Sequence, residues 1–74
     1  MRYTPRRLNY NRLTPGEKLI LQQTADSMTR DEIAATNYHA VATVAYHRRS
    51  IYAKLRASGA AHAVAIGLRE GLIS

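Results

Sequence analysis

"TRDEIAATNYHAVATVAYHRRSIYAKL", residues 29–55, decides the fold. Thr29 followed by Glu32 is the Thr-x-x-Glu pattern of a capping box, in which each side chain bonds the other residue's backbone N–H. The spacing predicts a short helix of about two turns. Ile33 and Ala34 face inward, and the helix ends near Thr36 or Asn37. Asn37 suits the left-handed position that closes many helices. A long helix then runs from about Ala40 to Arg56. At roughly 100° per residue, Val44, His47, Ile51 and Leu55 share one face, with Arg48 at its edge. Ala42, Ala45, Tyr46, Arg49, Ala53 and Arg56 gather on the other. Arg49 therefore points away from the core rather than interrupting it. Arg48 can lay its stem along apolar surface and send its charge outward.

Working outward, "LTPGEKLILQQTADSM" (13–28) places Thr14 as an N-cap, Pro15 at the first helical position and Glu17 at the third. This is a second capping box with a favoured proline. Ile20, Leu21, Thr24, Ala25 and Met28 fall on one side. After the long helix, Ser58 and Gly59 break the chain, Gly59 being free to take positive φ. A fourth helix is expected from Ala60 to Glu70, stopped by Gly71, with Leu72 and Ile73 folding back. No β-branched alternation of useful length occurs, so no strand is expected. Helix, short helix, tight turn, long helix is helix-turn-helix order in an all-α domain. Residues 1–12, "MRYTPRRLNYNR", show no helical period and are expected to be a flexible basic arm, leaving 13–74 as the folded domain.

With 74 residues the chain holds one small core. It has no cysteine, which excludes disulfides and Cys-based zinc sites. Nothing is apolar over a membrane-spanning length and no signal-peptide core is present, so a cytoplasmic protein is expected. Eleven Lys and Arg oppose five Asp and Glu, for a net charge of +6. Lys18 and Lys54 are the only lysines, and the arginines suit phosphate because their planar fork bonds it bidentately. No acid lies between Glu32 and Glu70, so the long helix carries cations, alanines and tyrosine on its outer face. That composition suits a major groove, where Arg reads guanine and a small side chain meets the thymine methyl. His39, His47 and His62 are too scattered for a metal site. His47 is expected to be half-buried and bonded to backbone. Ser50 has no acid near it in sequence and reads as helix surface. No phosphate loop or nucleophile pattern is present, and neither an enzyme nor a cofactor is expected.

From Leu13 to Ile73 the chain resembles the LuxR/FixJ-type, or GerE-like, helix-turn-helix domain. The resemblance rests on joint spacing: "LTPGE" (13–17), "EIA" (32–34), "TV" (43–44), His47, Ile51, "KL" (54–55) and "AVAIGLREGLI" (63–73). It implies a four-helix DNA-binding transcription regulator whose third helix enters the major groove. Ala45, Tyr46 and Arg49 then correspond to base-facing positions, and Thr43 and Lys54 to backbone-facing ones. Arg48, Arg56 and the arm residues Arg2, Arg6 and Arg7 add cations for phosphate. The resemblance further implies a dimer contact through the fourth helix; on that helix's own residues Val64, Leu68 and Leu72 are expected to pack inward, leaving Ala63 and Ile66 outside the core for a homodimer. Departures are visible too. Ala45 stands where many relatives carry Lys, the turn reads Asn37, Tyr38, His39, Ala40 without glycine, and polar Gln23 and Thr24 replace apolar residues.

Only twelve residues precede this unit, so no receiver or ligand-sensing input is expected, and a stand-alone bacterial or bacteriophage regulator acting in the bacterial or infected-host cytoplasm fits. A second possibility keeps the fold but acts through protein contacts with RNA polymerase or another regulator. A third is a charge-driven binder of polyanions or membrane surface.

Overall fold

A computed structural model describes residues 13–74; the arm, with Arg2, Arg6 and Arg7, lies outside the described residues. Four α-helices follow one another: α1 Pro15–Ala25, α2 Arg30–Asn37, α3 Val41–Leu55 and α4 Ala60–Arg69. Among the described residues there is no strand. Both capping boxes form. The Thr14 hydroxyl accepts from Glu17 N at 3.1 Å while Glu17 accepts from Thr14 N at 2.9 Å. Thr29 and Glu32 repeat this at 3.1 and 2.8 Å.

The helices enclose a core of Leu13, Ile20, Leu21, Ile33, Ala34, Val44, Ile51, Leu55, Ala63, Ile66 and Ile73. α1 and α2 both pack on α3, and α4 closes the far side against α1 and α3. Gln23 and Thr24 do not loosen this packing. Gln23 is buried and exchanges two hydrogen bonds with the Asn37 amide, at 3.1 and 2.9 Å. The Thr24 hydroxyl donates to Ile20 O at 2.8 Å. Both side chains thus have partners, which removes the penalty of packing them bare.

α4 is rotated from the expected setting. Ala63 (0% exposed) and Ile66 (5%) are core residues of the protomer, whereas Leu68 is 52% exposed. The dimer contact expected at Ala63 and Ile66 is therefore corrected: neither side chain is available to a partner. The cause lies at Gly67. A Cβ there would stand 3.0 Å from Leu21 Cδ2 and 3.1 Å from Ile73 Cγ1. The bare backbone lets α1 and the returning Ile73 sit against α4 on that side, which draws Ala63 and Ile66 inward. Gln22 fastens the tail, bonding Ser74 O at 2.8 Å and Ser74 N at 3.0 Å.

All four helices end in the same way. Ser27, Tyr38, Arg56 and Gly71 take positive φ, between 56° and 73°. The next N–H then turns back to a carbonyl: Met28 to Gln23 (3.0 Å), His39 to Ala34 (2.8 Å), Ala57 to Tyr52 (2.8 Å) and Leu72 to Gly67 (2.8 Å). Two expectations are corrected here. Asn37 remains helical, its amide engaged by Gln23, and Tyr38 takes the left-handed place. Gly59 is extended (φ 172°), and Arg56 makes the turn instead. A non-glycine residue in this conformation costs about 1–2 kcal/mol. Tyr38 is 95% exposed and packs on little. Tyr38→Gly should therefore raise unfolding stability by about 0.5–1 kcal/mol, the relief of strain less the added freedom of the unfolded chain. Urea denaturation of the two proteins checks it.

Candidate nucleic-acid interface

α3 shows its two faces plainly. Val44, Ile51 and Leu55 are at most 1% exposed. On the other side Ala42, Arg49 and Ala53 are exposed, as is Tyr46 at 64%. Ala45 is half-buried, so its methyl sits at the border of the exposed surface. His47 is half-buried as expected, but it makes no backbone hydrogen bond among the described residues. Its ring lies 5.7 Å from His39 and 5.7 Å, edge-on, from Tyr46. Among the described residues no group of three metal-ligating side chains comes together.

The orientation of α3 is set from α1. Glu17 is nearly buried, and its carboxylate collects three donors. Thr14 N reaches Oε1 at 2.9 Å, Lys54 Nζ the same oxygen at 2.8 Å, and Ser50 Oγ reaches Oε2 at 3.0 Å. Burial pushes the Glu17 pKa up, but the Lys54, Thr14 and Ser50 hydrogen bonds and the Lys54 charge outweigh it, leaving it below the ordinary carboxylate value. Ser50 is thus no idle surface residue: an acid distant in sequence meets it. Lys54, expected on the DNA backbone, has its ammonium seated on Glu17. One carboxylate ties the last two turns of α3 to the start of α1.

A second tie involves Arg48. Its Nη2 donates to Thr24 Oγ1 at 3.2 Å, and its buried Nε has no partner among the described residues. The expected outward reach of the charge is thus corrected: part of the guanidinium turns in toward α1. Arg48 also lines a shallow hollow with Arg30, Ala45, Arg49 and Tyr52. Arg30 was missed in the sequence. It directly follows the cap of α2 and belongs to no periodic face, so only the crossing of α2 and α3 brings it beside Arg49. Arg56 is exposed at the end of α3, and Thr43 is half-buried in its first turn.

A short helix, a three-residue turn and a long helix with a bare basic face are now in place, and the family model of bacterial regulatory proteins of the luxR family, GerE, matches residues 11–66. The chain belongs to the LuxR family. Comparison with curated proteins and with solved structures gave no match. As a LuxR-family domain it is a helix-turn-helix DNA-binding transcription regulator. The family is one of DNA-binding regulators, not of enzymes. No helix among the described residues is long and apolar enough to cross a membrane.

Proposed function

We propose that this LuxR-family domain recognises a specific double-stranded DNA sequence by placing α3 in the major groove. One observation carries the reading. Between Glu32 and Glu70 the chain has no acid, and the uncovered side of α3 consists of Ala42, Tyr46, Arg49 and Ala53. Alanines let the helix approach closely, Arg49 supplies a bidentate donor for guanine, and Ala45 and Tyr46 meet neighbouring base edges. Thr43 and Arg56 flank this row and would take backbone phosphates, joined by Arg2, Arg6 and Arg7 of the arm. Lys54 can add its charge only while shared with Glu17. The domain acts as a homodimer through the exposed side of α4, Ala61, Ala65 and Leu68, so that two copies of α3 address half-sites about one helical turn apart. It works in the bacterial cytoplasm or nucleoid, or in a phage-infected host.

Selection of bound duplexes from a random pool should yield a defined, roughly palindromic site. On that site Arg49→Ala should cost about 1–3 kcal/mol and relax preference at one base pair, with far less loss on scrambled DNA. Equal loss on both duplexes would make Arg49 a phosphate contact. A pool that yields no sequence would pass the function to protein contacts.

A further inference from the structure

We propose that a hollow between α1 and the α2–α3 turn is the seat of the chain's own N-terminal segment, with Leu8 as the side chain that fills it. Gly16, Leu19 and Ile20 line this hollow from α1, and His39 and His47 from the turn and α3; its volume is ≈ 340 Å³. A Cβ on Gly16 would meet only Thr14 Oγ1, at 3.9 Å, so that part of the wall is bare backbone with open space before it. Leu19 is 49% exposed, an apolar wall facing water. The two imidazoles, 5.7 Å apart and tilted by 39°, close the opposite side. Apolar surface left open in this way gains by being covered.

Two observations say what covers it. The first is where the chain outside the described residues joins the fold. Residues 1–12 lead into Leu13, a core residue, and Thr14, which lines the hollow itself. Leu8 stands six residues before Thr14. At about 3.5 Å per residue the chain between them reaches about 20 Å, enough to leave the rim and return. Asn9 and Asn11 lie in that stretch, and asparagine favours chain reversal. A segment tethered so closely meets the hollow at an effective concentration in about the millimolar range, which a free ligand or a second copy must exceed. Leucine suits the walls better than Tyr3 or Tyr10, whose hydroxyls need partners. The Asn37 amide at the rim is engaged by Gln23, and the Glu17 carboxylate by Thr14, Ser50 and Lys54.

The second observation is charge. Residues 1–12 hold Arg2, Arg6, Arg7 and Arg12 and no acid. This hollow is lined by no Lys or Arg and includes the Glu17 carboxylate, whereas the hollow of Arg30, Arg48 and Arg49 would repel a basic segment. Leu8 seated here leaves its neighbours Arg6 and Arg7 beside the turn that leads into α3. The segment is then ordered when the domain folds rather than when DNA arrives, so its cations meet phosphate at a lower entropy cost. That consequence rests on the phosphate contacts proposed above for the arm; the docking itself does not.

The test uses the full chain in two stages. Without DNA, methyl NMR should show cross-relaxation between Leu8 and Ile20. Trypsin should cut after Arg6 and Arg7 roughly tenfold more slowly than in Leu8→Ser, with Leu8→Met still protected. Absence of the Leu8–Ile20 contact, or equal cleavage in Leu8→Ser, would overturn the docking. A contact seen only between labelled and unlabelled chains in a mixed sample would give the hollow to a second copy and overturn it too. So would an Ile20 methyl that shifts with added indole while Leu8 stays at random-coil values, the mark of a free aromatic ligand. Should Leu8→Ser unfold, Leu19→Ser on the half-exposed wall is expected to open the same two bonds. With DNA, Leu8→Ser should weaken binding several-fold on specific and scrambled duplexes at an unchanged salt slope, because no charge is lost. The double variant Arg6→Gln, Arg7→Gln should lower that slope by about 0.9 per contact. An unchanged slope in the arginine variant would defeat the phosphate reading of the arm while the Leu8–Ile20 contact still stood. Unchanged affinity in Leu8→Ser would overturn the presentation of Arg6 and Arg7 by docking.

Discussion

Ile66→Glu is expected to unfold the domain, while Leu68→Glu leaves it folded. Ile66 is 5% exposed and packs in the core beside Ala63, whereas Leu68, two residues on, is 52% exposed. Removing the isoleucine alone costs about 2–5 kcal/mol. A carboxylate with no partner in its place adds several more, or must take up a proton to avoid it. A small domain has only about 5–15 kcal/mol in all. Circular dichroism should show Ile66→Glu without helical signal at 25 °C and Leu68→Glu within about 0.5 kcal/mol of the parent. The pair also separates folding from assembly. Leu68→Glu should weaken cooperative binding to a duplex with two half-sites and spare a single half-site. A folded Ile66→Glu protein would contradict the packing of α4 described above. Unchanged cooperativity in Leu68→Glu would exclude this side of α4 as the contact between copies.

Glu17→Ala should lower stability by about 2–4 kcal/mol, more than its place on the first turn of a helix would suggest. The substitution removes half of a capping box, the acceptor of Ser50 and an acceptor of Lys54. The side chain of Lys54 is 30% exposed and can recover some hydration, which keeps the loss below that of a sealed ion pair. Acid should remove the same interaction. Because the Glu17 pKa is lowered on folding, the unfolded chain takes up the proton more readily. The contribution is complete above the ordinary carboxylate pKa and is lost as pH falls through the lower, folded value. Thermal melts of wild type and Glu17→Gln should therefore differ by a constant amount from pH 7 to about pH 5, then converge below about pH 4.3. A gap that persists to pH 2.5 would mean that the carboxylate's charge plays no part. Since Ser50 and Lys54 lie on α3, DNA affinity should also fall in Glu17→Ala at temperatures where it remains folded.

The order and type of the elements are local matters, and for that reason they are legible in the chain. Thr14 with Glu17 and Thr29 with Glu32 are bonds between residues three apart, so any chain carrying them starts a helix there. The division of α3 follows in the same way. A helix turns about 100° per residue whatever surrounds it, so Val44, Ile51 and Leu55 must oppose Tyr46, Arg49 and Ala53. Helix ends are less legible. Glycine and asparagine mark places where a left-handed turn is easy, yet Ser27, Tyr38 and Arg56 make that turn at a cost that local sequence opposes. Packing of the flanking helices supplies the difference, and Asn37, the better candidate, is taken by Gln23.

Contacts between residues far apart in sequence were decided by the tertiary structure alone. Glu17 meets Ser50 and Lys54, and Arg48 meets Thr24, because α1 crosses α3 at that height; no periodicity within either helix encodes the crossing. The setting of α4 is of the same kind. Two faces of that helix are apolar enough to be buried, one holding Ala63 and Ile66, the other Val64 and Leu68. The missing side chain of Gly67, filled from outside by Leu21 and Ile73, selects the first. The hollow of Arg30, Arg48 and Arg49 likewise exists only where two helices meet. Sequence by itself determined the helices, their starts and the basic side of α3, since each depends on spacing along one element. Which charges are neutralised, which stay available and which residues close the core depended on distances between elements, and these arise only when all four helices pack together.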